Sequence, residues 1–206
     1  MTEPDVVVTD YLLTLETAVF AVLVWRSAAT DSDLRLPFVV FFSATSLAAL
    51  TGGTVHGFFS GATYSPLGVA LWRATLVALG VSALAAWAIG GRMLLPATAA
   101  GALQIAAAVV AALYTVVVVA FDDRFWIAIV HYLPPTVFML VAFGVAYRQD
   151  RPSTLAGLIG LVLTLAAALV QQQRIALHPT YVNHNALYHA IQAVALFLIF
   201  LSAWRM

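Results

Sequence analysis

The sequence predicts an all-α, polytopic integral membrane protein of seven transmembrane helices, with the N-terminus outside and the C-terminus in the cytoplasm. Three observations predict it: 63% of the 206 residues are hydrophobic, only 9% are charged, and seven apolar stretches of spanning length follow one another. So little polar surface cannot coat a water-soluble globule. Seven helices of roughly 20 residues with short connections use the whole length, so residues 1–206 are expected to form a single membrane domain.

The spans are expected near residues 11–27, 36–59, 67–89, 93–121, 125–147, 153–172 and 185–204. Before the first, residues 1–10 are acidic and lack the basic start of a signal peptide, so that span is expected to be retained. Asp31, Asp33 and Pro37 separate the first and second spans, and Gly61 and Pro66 the second and third. Gly90 and Gly91 precede the fourth, which is the longest and is expected to kink after Pro96. Asp122 and Asp123, then Pro152, then Pro179 divide the remainder, and Pro134 with Pro135 is expected to bend the fifth span. Arginine sets the orientation. Arg26, Arg35, Arg92, Arg148, Arg151 and Arg205 fall on one side and only Arg124 and Arg174 on the other, which places the former side in the cytoplasm of a plasma-membrane protein.

Composition excludes several chemistries. There is no cysteine, hence no disulfide, thiolate metal site or cysteine nucleophile. All nine basic residues are arginine, so no lysine can carry retinal as a Schiff base. Zero net charge without a basic cluster argues against a nucleic-acid partner.

Polar residues gather toward the outer face. His56 ends the second span, His131 lies early in the fifth, His178 and His184 precede the seventh, and His189 is about one turn into it. Glu16, Arg73 and Gln171 share that side. Polar groups in hydrocarbon are costly and mark sites. Asn185, His189 and Gln192, spaced i, i+4, i+7, share one helical face. Gly52 and Gly53, one turn before His56, leave room for a helix or ligand to approach the imidazole. Glu16 and Arg73 are expected to neutralise each other as a buried pair.

The stretch His178-Pro179-Thr180-Tyr181-Val182-Asn183-His184-Asn185-Ala186-Leu187-Tyr188-His189 resembles the start of the last helix in the alkaline ceramidases and adiponectin-receptor-like proteins, a superfamily of seven-span membrane hydrolases. An H-x-x-x-H motif lies there in that superfamily, and with a histidine near the end of the second span it binds zinc. Here Asn185 stands in place of the first motif histidine, His189 matches the second, and His56 matches the second-span ligand. Gly52 replaces that family's serine, and no acidic residue follows His56 closely. The chain also resembles a prokaryotic family of small seven-span proteins with an N-H-N-A-L-Y-H signature.

The resemblance implies a zinc-dependent hydrolase of a lipid amide or ester near the outer face, its metal held by His56, His189 and one of His184, His131 or Asn185. Zinc on three such ligands would lower the pKa of bound water to about 7. Glu16 would then accept the proton, with Asp123 as the alternative base, and Arg73 or Asn185 would polarise the carbonyl. Two other readings stay open: a haem protein of electron transfer ligated by His56 with His189 or His131, and a transporter or receptor with an outward-facing polar pocket.

Overall fold

The computed structural model describes residues 3–59, 65–178 and 181–206, and all of its named elements are α-helices. They are α1 (Pro4–Arg26), α2 (Ser32–Phe58), α3 (Pro66–Leu94), α4 (Ala97–Ala120), α5 (Phe125–Arg148), α6 (Thr154–Gln172) and α7 (His184–Arg205). Each is long and apolar enough to cross a membrane, which makes this a multi-pass membrane protein. Short side chains define several helix starts. Asp31 accepts from the Asp33 N–H ahead of α2, Ser65 from the Gly68 N–H ahead of α3, and Asn183 from the Asn185 and Ala186 N–H groups at α7.

Several boundaries differ from the sequence expectation. Helix α1 starts at Pro4, because proline suits a first helical position and Asp5 favours the positive end of the helix. Residues 4–10 of the acidic tail are therefore part of α1. Helix α3 runs through Gly90 and Gly91 to Leu94, since these glycines admit neighbours: a Cβ on Gly90 would lie 2.7 Å from Phe138 Cδ1. The chain breaks at Leu95 and Pro96, so the expected kink is in fact the α3–α4 turn. At 29 residues α3, not α4, is the longest helix. Pro37 lies inside α2 rather than before it, and Pro134 and Pro135 lie inside α5. The expected breakers Gly61 and Pro179 fall outside the described residues.

Six helices close a ring in the order α1, α2, α3, α5, α6, α7, while α4 packs outside against α3. Specific contacts fix the directions. Tyr11 meets Thr54 and Ser46 Oγ donates to the Thr14 carbonyl, so α1 and α2 are antiparallel. Thr9 meets His189 near one end and Thr30 Oγ1 donates to the Ala203 carbonyl at the other, so α1 and α7 are parallel. Ser82 meets Tyr132 and Trp72 reaches Asp123, which sets α3 parallel to α5.

The two ends of the ring differ. At the end holding the C-termini of α1, α3, α5 and α7, the core is dense and aromatic: Phe20 stacks on Phe200 at 4.3 Å, and Phe42 meets Phe20 edge-on at 5.6 Å. Phe38, Phe42, Phe143 and Ile199 are sealed there. At the other end the ring opens around a cavity.

Candidate functional site

All six ring helices line this cavity, whose volume is about 350 Å³. That lies within the roughly 300–1,000 Å³ of ligand sites. Helix α7 presents Asn185, His189 and Gln192 to it, the face expected from their spacing, and α2 presents His56 and Gly52. Apolar Leu13, Leu79, Leu133 and Leu165 line it together with these polar groups, and among the described residues no arginine does.

Each cavity imidazole meets a carboxylate near the N-terminus, Glu3 just ahead of α1 and Asp10 within it. His56 Nδ1 lies 2.6 Å from Glu3 Oε2. His189 Nε2 lies 3.3 Å from Asp10 Oδ1, and its Nδ1 lies 3.3 Å from the Thr9 hydroxyl. The second pair is the more secluded, with side chains only 12% and 5% exposed. A carboxylate and an imidazole sharing one extra proton have no net charge, and this is the form a low-dielectric interior tolerates. Gly53 makes room for the pair: a Cβ there would lie 2.6 Å from Asp10 Cβ. The gap beside His56 thus admits a side chain of α1, and Gly57 likewise admits Val7.

Deeper in the cavity, hydroxyls join the helices. Thr45 meets Ser82 at 3.0 Å, Ser82 meets the Tyr132 hydroxyl at 3.4 Å, and Thr75 meets Thr51 at 2.8 Å. Tyr132 and Tyr188 both face the space. Near its mouth Gln171 Nε2 donates to Asn185 Oδ1 at 3.4 Å.

Other predicted site residues lie elsewhere. His131 faces a separate groove between α3, α4 and α5, stacked on Tyr114 at 4.1 Å. His184 is the first residue of α7 and does not line the cavity. Glu16 and Arg73 do not meet, because α2 stands between α1 and α3 in the ring; Arg73 Nε instead donates to Asp123 Oδ2 at 3.4 Å. The Asp123 carbonyl also accepts from Trp72 Nε1 at 2.7 Å, which fastens the α4–α5 loop beside the cavity. In the same loop the Arg124 side chain donates to Asp122 and holds that carboxyl below the usual aspartate range.

Of the zinc ligands implied by the resemblance, His56, His189 and Asn185 line the one cavity, while His184 and His131 lie outside it. Among the described residues no three His, Asp or Glu side chains stand together as a group able to hold a metal. His56 and His189 share the cavity, but their near neighbours are Glu3 and Asp10 rather than a third histidine. Glu3 and Asp10 are the site residues that sequence reasoning passed over. For Asp10 the signal was a helix beginning at Pro4, which carries it inside α1, and Glu3 sits at the N-cap of that helix.

No curated protein and no solved structure matches this chain. Residues 6–206 match DUF6962, a family of unknown function, and the chain belongs to that family.

Proposed function

We propose that the protein is a plasma-membrane hydrolase that cleaves an amide or ester of a neutral lipid, with its site toward the outside of the cell. The observation that carries this reading is the presence of two imidazole–carboxylate pairs on one cavity. Hydrolysis needs a base for water and an acid for the leaving group, and separately oriented pairs supply both. Glu3 accepts the Nδ1 proton of His56, which places the ring's lone pair on Nε2. Water then adds to the carbonyl carbon as its proton passes to His56. The proton shared by His189 and Asp10 goes to the departing nitrogen or oxygen as the C–N or C–O bond breaks. Asn185, whose Oδ1 accepts from Gln171, turns its amide N–H groups to the developing oxyanion. The apolar part of the lining and the absence of arginine favour a neutral lipid over an anionic one.

The test is turnover of fluorogenic acyl amides and acyl esters by the purified chain in lipid nanodiscs. Wild-type protein should cleave at least one, and His56→Asn should be slower by about 100-fold or more. Absence of cleavage across the panel, or equal rates in wild type and His56→Asn, removes the reading. Metal analysis of wild type and His189→Ala decides whether zinc joins these residues.

The arginine asymmetry supports the outward orientation of the cavity, since the loops at its end carry Arg124 and Arg174 against six arginines at the other. The chain has no cysteine, so single cysteines report directly. Asp122→Cys should react with a membrane-impermeant maleimide on intact cells, and Gln149→Cys only after lysis. The reverse pattern inverts the topology.

A further inference from the structure

Two polar side chains on the cavity are more than nine-tenths buried and keep an atom without a partner among the described residues. They are Asp10, 4% exposed with Oδ2 unpaired, and Gln192, 7% exposed with Oε1 unpaired. Asp10 belongs to the pair described above, whereas Gln192 has no part in that chemistry. Its orientation follows from its neighbours. Thr164 has a single hydroxyl proton, and this goes to the Gly160 carbonyl at 3.1 Å. With that proton engaged, the Thr164 oxygen accepts from Gln192 Nε2 at 3.3 Å. The atom left over is the carbonyl oxygen Oε1, an acceptor. Buried acceptors are normally satisfied, and no arginine of the cavity can supply the missing proton.

We infer that Gln192, held by Thr164, forms a subsite for a hydroxyl group carried by the ligand. The position gives the spacing. Gln192 lies three residues beyond His189, about 4.5 Å deeper along α7. A hydroxyl on a two-carbon arm from an amide nitrogen lies roughly 5 Å from the carbonyl carbon when extended. A carboxylate or phosphate there would set lone pairs against two unsatisfied acceptors, so the subsite also excludes anions. The inference rests on the hydrolase reading only for where the amide sits.

Its test is binding, read by tryptophan fluorescence because Trp72 lines the cavity. The probes are N-(2-hydroxyethyl)octanamide, its isostere N-propyloctanamide, and the carboxylate N-octanoylglycine, each titrated into the nanodisc-embedded chain. Wild type should bind the hydroxyl probe about tenfold more tightly than the isostere, and the carboxylate most weakly. In Gln192→Met, which keeps the side-chain length and removes the acceptor, the preference should fall to near unity. Thr164→Val, which frees the amide to turn, should narrow the preference without abolishing binding. Equal binding of the two amides by wild type, an unchanged preference in Gln192→Met as expected if only water fills the subsite, or tight binding of the carboxylate overturns the inference. A hydroxyl preference in a chain that cleaves neither amides nor esters refutes the hydrolase and leaves the subsite standing. Cleavage without the preference does the opposite.

Discussion

Gly160→Ala should be strongly destabilising. A Cβ at this position would lie 2.5 Å from the Ala195 carbonyl oxygen, 2.9 Å from Ile199 Cγ1 and 3.1 Å from the Ile199 nitrogen. Two of these atoms are backbone, so no rotamer change relieves the clash. Helix α7 must move away from α6 along its length. Overpacking of this kind costs about 3 kcal/mol, toward the upper end of the usual range. That is a large fraction of the stability of a typical domain. Gly101→Ala is the matched control: nothing lies within 4 Å of a Cβ there, and alanine favours the helix by up to about 1 kcal/mol. Melting followed by size-exclusion chromatography should separate the two variants sharply. A Gly160→Ala protein that melts with wild type would mean that α6 and α7 do not pack this closely.

The second large effect belongs to the secluded pair. Asp10→Leu strands His189, and His189→Leu strands Asp10; each should cost about 3–5 kcal/mol, because one partner is left buried without the other. The double variant should lose much less than the sum, since it leaves neither group stranded. Asp10→Asn is the informative third variant. It keeps an oxygen for the His189 N–H, so it should fold nearly as well as wild type, yet an amide cannot share the proton. Cleavage of the best lipid amide should then fall by about 100-fold or more. Additive losses in the double variant would show that the two groups do not interact.

The seven spans were legible because hydrocarbon imposes length and apolarity on every helix, whatever its neighbours. The Asn185, His189 and Gln192 face was legible for a similar reason, being written within a single helix. What lay across the ring was not. Asp10 and Glu3 look like part of a polar tail when the apolar window opens at Tyr11, and only the observed start at Pro4 brings them to the imidazoles. His131 has the same residue type and nearly the same depth as the cavity histidines, but α5 turns it outward onto Tyr114. Glu16 and Arg73 matched in depth and charge, and the intervening α2 keeps them apart. Helix order around a ring depends on side-chain volumes such as Gly53 against Asp10 and Gly157 against Phe143, and one-dimensional spacing does not encode it.

The stacked phenylalanines give the protein a sidedness. Phe20, Phe42 and Phe200 pack into a stopper beneath the cavity, which closes the direct way through the ring to the opposite end. If the chain is the lipid hydrolase proposed above, both fragments of a cleaved lipid should return to the leaflet that delivered it.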